Sequence, residues 1–157
     1  EMVGNVTFKD TTYAPLPMKF EAGTQNFASA ATLKPAIEVF KLLNNKELEL
    51  YNNNIRDFLL DKLTSDQRIT LYGVPRGTNE EKIPLFSFTV KGVHHEDLAL
   101  ILDKMGIAVR SGQMCAEPLM DRFGVTGMLR VSIAPYNTME EAEYFVECLD
   151  KAINMLM

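Results

Sequence analysis

Two cysteines, Cys115 and Cys148, and two adjacent histidines, His94 and His95, are all that this 157-residue chain has of the residue types that build disulfide frameworks and most zinc sites. Two cysteines are too few for a disulfide scaffold and suit a reducing compartment such as the cytoplasm. Neighbouring histidines are expected to point apart, and no cysteine or acid recurs at metal-ligand spacing, so no metal site is predicted. A place in a loop entering a helix is the simpler role for the pair. No stretch reaches the ~18 consecutive apolar residues that a membrane helix requires, and no membrane partner is expected. The opening residues, Glu1-Met2-Val3-Gly4-Asn5, lack the basic segment and apolar run of a secretory leader. Positive charge is scarce as well: 16 Lys+Arg against 21 Asp+Glu give a formal net charge of −5. No basic patch stands out to hold nucleic acid against that background. Internal repeats and low-complexity tracts are absent.

What is present is an ordinary globular composition, 46% hydrophobic and 24% charged, long enough to bury a core without metal or disulfide staples. The chain opens on Glu1 rather than a methionine, as processing, trimming or a fragment would give. Gly73 to Pro84 crowds Gly, Pro, Asn, Glu and Lys between two apolar runs and reads as a loop. Before it, Phe27 to Leu43 and Glu47 to Leu63 carry apolar residues at helical spacing, and Pro35 is expected to start or kink the first helix. After it, Ile69–Tyr72, Leu85–Val90, Ile107–Val109 and Met128–Ala134 read as strands, and Glu96–Met105 and Met139–Met157 as helices. Thr138 and Glu141 have capping-box spacing. Gly106 follows Lys104 and Met105 as a helix stop, and Glu96 and Asp97 suit the positive end of a helix dipole. The predicted fold is α/β: a small, mainly antiparallel sheet with helices on one face. Residues 1–26 read as an extended arm without a core of its own, and 27–157 as the folded domain.

Chemistry concentrates in Val109-Arg110-Ser111-Gly112-Gln113-Met114-Cys115-Ala116-Glu117-Pro118. A strand is expected to end at Arg110, and Pro118 suits the first turn of a helix. Cys115 therefore falls in a loop before a helix N-terminus, with a guanidinium five residues upstream, and both features favour the nucleophilic thiolate. The alternative is a small hydrophobe packed between Met114 and Ala116; loop placement argues against it. Cys148, inside the last helix, reads as core. Arg130 lies in the otherwise apolar strand Met128-Leu129-Arg130-Val131-Ser132, where a guanidinium needs an anion, either a ligand carboxylate or an internal acid. Gly23 and Thr24, in Phe20-Glu21-Ala22-Gly23-Thr24-Gln25-Asn26, sit before a helix whose backbone N–H groups can receive a phosphate; taken alone the signal is weak, and capping of that helix by Thr24 or Asn26 is the simpler explanation.

Taken in order, Phe20-Glu21-Ala22-Gly23-Thr24, Gly92-Val93-His94-His95-Glu96-Asp97, Arg110-Ser111-Gly112-Gln113-Met114-Cys115-Ala116, Arg130-Val131-Ser132 and Tyr136-Asn137-Thr138 resemble the C-terminal part of SufS-type (group II) cysteine desulfurases. These are class V members of the fold type I pyridoxal-phosphate enzymes. The resemblance spans essentially the whole chain and implies the C-terminal small domain of that fold. It implies conversion of L-cysteine to L-alanine, with the sulfur left as a persulfide for iron-sulfur cluster assembly. It further implies pyridoxal phosphate as cofactor, a homodimer, and a sulfur-acceptor protein of the Suf system as partner. Carried over by residue, Cys115 resembles the sulfur-accepting nucleophile, Arg130 the arginine that grips the substrate carboxylate, and Arg110 the second active-site arginine. Thr24, after Gly23, resembles the residue that reaches the cofactor phosphate of the partner subunit. Asn137 and Thr138 read as capping only.

Two positions depart from the pattern. Gln113-Met114 stand where many relatives carry two histidines, and Gln25 where proline is usual. No lysine here lies in the sequence context of the cofactor-binding lysine, so the chain alone is expected to be inactive. Other readings stay open: a selenocysteine lyase, a class V aminotransferase domain, or a non-catalytic α/β binding module using Arg130.

Overall fold

The computed structural model describes residues 2–43, 45–73 and 82–157. The expected loop between Gly73 and Pro84 falls largely on 74–81, outside the described residues. The chain divides into two compact units, Glu1–Asn44 and Asn45–Met157, each described by itself.

In the first unit, β1 (Val3–Val6) pairs antiparallel with β2 (Thr11–Tyr13). An extended arm without a core of its own was expected there; the chain forms this hairpin within it. Its strands are short and weakly apolar; the turn holds them, with the Thr7 N–H donating to the Asp10 carbonyl (2.8 Å) and the Asp10 N–H to Thr7 Oγ1 (3.0 Å). A 3-10 turn at Met18–Phe20 leads towards α1 (Phe27–Leu43). Asn26 caps α1, its Oδ1 accepting from the Ser29 N–H at 3.1 Å. Pro35 lies inside α1 and does not start it; lacking an N–H, it forfeits one bond of the helical ladder. No described residue of this unit is buried. The division between the two units falls after α1.

The second unit runs α2 (Lys46–Ser65), β3 (Ile69–Tyr72), β4 (Leu85–Val90), α3 (His95–Lys104), β5 (Arg110–Gly112), α4 (Glu117–Phe123), β6 (Met128–Ser132) and α5 (Met139–Leu156). The strands form one antiparallel sheet in the order β3-β4-β6-β5, the α/β architecture with a small antiparallel sheet that the sequence predicts. Alternation in β4 separates its two faces: Phe86, Phe88 and Val90 are buried, while Leu85, Ser87 and Thr89 are only partly so. The buried row joins Leu129 and Val131 of β6 in a core with Ile55, Leu59 and Leu63 of α2, Leu98 and Leu102 of α3, and Phe145, Leu149 and Ile153 of α5. Each such side chain contributes about 1.5–3 kcal/mol by leaving water. Cys148 belongs to this core, as read from its place in the last helix.

Helix ends are fixed by local chemistry. Thr138 Oγ1 accepts from the Glu141 N–H (3.2 Å), while Glu141 Oε2 accepts from the Thr138 N–H (3.0 Å), a complete capping box on α5. After α3 the Gly106 N–H donates to the Asp103 carbonyl (2.9 Å) and the Ile107 N–H to that of Leu102 (3.0 Å), with Gly106 at φ +79°. This is the double bond of a Schellman stop, which glycine enters without Cβ strain.

One strand lies elsewhere than expected. Ile107–Val109 is not part of the ladder, and the pairing with β6 begins where the strand was expected to end, at Arg110. The apolar signal at Ile107 and Val109 is real, because both pack against the core. Their backbone is nevertheless not paired with β6, and Ile107, Val109, Val131 and Ile133 line a pocket of about 300 Å³.

Candidate active site

The face of the sheet turned away from the core carries the polar residues. Successive registers align Tyr72 with Ser87, Ser87 with Arg130, and Arg130 with Arg110, a single cross-strand row over all four strands. Arg110 is exposed and Arg130 partly buried. Like charges directly opposite one another are destabilising, and among the described residues neither guanidinium pairs with an acid. Arg130 Nε is buried and has no hydrogen-bond partner. A buried donor left unbonded costs about 1–3 kcal/mol. Of the two anions that the strand position allowed, no internal carboxylate among the described residues fills the role.

Cys115 lies three residues past Gly112, the end of β5. Met114 and Cys115 have φ of +57° and +60°, and the Ala116 N–H donates to the Gln113 carbonyl at 3.0 Å. Positive φ at both central residues of a hydrogen-bonded four-residue turn is the signature of type I′, a turn that favours Asn and Gly. Methionine and cysteine hold it at a strain of about 1–2 kcal/mol each. Gln113 Nε2 donates to Glu117 Oε1 at 3.3 Å across the turn, and Pro118 opens α4 in its first turn, as predicted. The turn leaves Cys115 exposed, in contrast to buried Cys148.

A pocket of about 420 Å³ connects the turn and the row: Gln113, Met114 and Ala116 line it together with Tyr72, Ser87 and Met128. Tyr72 also donates to or accepts from Thr89 Oγ1 at 3.2 Å and packs on Phe123 of α4, ring centroids 4.9 Å apart. Sequence reasoning missed Ser87 and Tyr72. The signal for Ser87 was available, since it is a polar residue in alternation with Phe86 and Phe88.

Gly23 and Thr24 lie in the other unit. Gly23 has φ +74°, with nothing within 4 Å of where a Cβ would stand. Thr24 is exposed, and its hydroxyl makes no hydrogen bond among the described residues; Asn26 is the cap of α1. An open glycine turn with an unbonded hydroxyl before a helix fits a phosphate.

His94 caps α3, its Nδ1 accepting from the Glu96 N–H at 3.4 Å, in line with a helix-entry role. The expectation that the two rings point apart is wrong: their centroids are 4.3 Å apart and tilted by 31°. His95 occupies the space a side chain at Gly127 would fill. Burial, reinforced by His94, holds its imidazole below the ordinary 6.5 against the opposing pull of Glu96 and Asp97. Among the described residues no helix is long and apolar enough to cross a membrane.

Fold and site define a small α/β domain that presents two facing guanidiniums and an exposed thiol beside one antiparallel sheet. A sequence model of the aminotransferase class-V family matches residues 1–145, and the chain belongs to that family. It is 38% identical to a probable cysteine desulfurase of Vibrio cholerae over 99% of its own length and 37% of the relative's. Its fold matches the cysteine desulfurase CsdA of Escherichia coli in its S-sulfonic acid form (TM-score 0.75, 34% identity, 99% of this chain and 38% of that one). It also matches the apo cysteine desulfurase of Thermococcus onnurineus NA1 (TM-score 0.77, 30% identity, 99% and 38%). The chain thus spans little more than a third of the length of these proteins.

Proposed function

We propose that this chain is the C-terminal part of a pyridoxal-phosphate-dependent cysteine desulfurase, with 45–157 as its small domain and 1–44 as the connection to the rest. The observation that carries the reading is the facing pair Arg110 and Arg130, whose buried Nε lacks an anion. Arg130 binds the α-carboxylate of L-cysteine, and exposed Arg110 adds a second positive charge at the same place. Pyridoxal phosphate, when bound, supplies the electron sink that labilises the substrate. Gly23 and Thr24 would hold its phosphate, from one subunit of a homodimer to the other.

Cys115 accepts the sulfur. An S–S bond forms between its thiolate and the substrate sulfur as the substrate Cβ–S bond breaks; the electron pair stays with the carbon skeleton, which takes up a proton at Cβ and leaves as L-alanine. The persulfide then passes to a thiol-bearing acceptor protein for iron-sulfur cluster assembly, which the Suf-type motif set supports. Cytoplasmic residence fits a free exposed thiol.

The test is made in the full-length protein loaded with pyridoxal phosphate, by following alanine and sulfide release from L-cysteine. Arg130→Gln is expected to raise KM for L-cysteine while the cofactor stays bound; unchanged KM would refute the carboxylate assignment. Residues 1–157 alone are expected not to turn over L-cysteine.

A further inference from the structure

The Cys115 turn is held in a conformation that its own sequence disfavours. Both central residues carry a Cβ at positive φ, so the turn persists only because its surroundings over-determine it. Two features do so. Gln113 and Glu117 bracket the turn through their side chains, and Met114 is partly buried in the wall of the pocket it shares with Leu119, Met120 and Met128. An unbranched thioether fills such an irregular apolar gap well.

We propose that Met114 is the positioning residue of Cys115, its side chain anchoring the strained turn on the pocket wall so that the thiol faces outward, with the Gln113–Glu117 bracket as secondary support. The proposal rests on the reading of Cys115 as the sulfur acceptor and adds the residue that presents it. With the anchor removed, the turn relaxes away from positive φ and the thiol folds towards the vacated apolar space.

The test uses this chain and the pH profile of iodoacetamide alkylation at each cysteine, read by peptide mass spectrometry, with buried Cys148 as internal reference. Met114→Ala is expected to slow alkylation of Cys115 at all pH values by about fivefold or more, fivefold being the factor set by the lower end of the αL strain at one of the two residues. Met114→Leu, which keeps an apolar side chain of similar length, is expected to restore the rate. Gln113→Ala changes an exposed residue and serves if Met114→Ala folds poorly; it should slow the reaction in the same direction. A rate within twofold of the parent in Met114→Ala, or in Gln113→Ala where Met114→Ala folds poorly, or a faster reaction in either, would overturn the positioning role. If Cys115 in the parent chain reacts no faster than Cys148, the reading of Cys115 itself fails, a result distinct from the first.

Discussion

Arg110 and Arg130 face each other across the β5–β6 ladder, two cations in the position where a sheet normally pairs an acid with a base or two apolar groups. Arg130 adds a buried Nε without a partner. Without a bound anion this arrangement is a defect. With one, the same arrangement becomes a clamp.

Stability measurements on the chain alone expose the defect. Arg130→Met removes both the like-charge pairing across the ladder and the orphaned donor, so urea unfolding should show it unchanged or stabilised by about 0.5–1 kcal/mol. A loss of more than about 1 kcal/mol would mean that Arg130 has a structural partner.

At Cys115 the strain makes a prediction opposite in sign to function. Cys115→Gly removes a Cβ from an exposed position at φ +60°, so it should stabilise the domain by about 1 kcal/mol. The same change abolishes any sulfur transfer. Destabilisation by this variant would contradict the turn geometry.

His95 gives a pH dependence. Its protonation is disfavoured in the folded state, its pKa lying below 6.5, while the unfolded chain protonates near that value. Stability is therefore complete above the unfolded value and falls as pH drops below about 6.5 towards the folded value. His95→Gln should flatten that part of the curve. Gly127→Ala would collide with the His95 ring, whose Cε1 and Cδ2 lie 2.8 and 2.9 Å from where the new methyl group would stand, and should destabilise by about 1–3 kcal/mol.

The cap of α5 is a separate, local test. Thr138→Ala removes half of the capping box and should cost about 1 kcal/mol, with no change in the reactivity of Cys115.

These predictions draw on parts of the molecule that were unequally visible in the sequence. β3 and β4 begin and end where their apolar runs do, and the ends of α3 and α5 follow from Gly106 and Thr138, because those signals are local. The offset of β5 had no local signal: Ile107 and Val109 are apolar because they face the core, while the ladder that defines the strand depends on β6. Likewise, no sequence rule predicts Met114-Cys115 at the centre of a type I′ turn, since neither residue favours it and the support comes from a pocket wall assembled from distant segments. Arg130 was legible as a cation needing an anion. Its alignment with Arg110, Ser87 and Tyr72 was not, because register is set by pairing partners far apart in sequence. The β1–β2 hairpin escaped because its strands carry little apolar alternation.

The most direct test of the account is made on the full-length protein loaded with pyridoxal phosphate and given L-cysteine, by peptide mass spectrometry without reductant. Cys115 should gain the mass of one sulfur atom while Cys148 stays unmodified, and the Cys115→Ala variant should bind cofactor but form no persulfide. Sustained desulfuration by Cys115→Ala, or a persulfide carried elsewhere in the chain, would contradict the account.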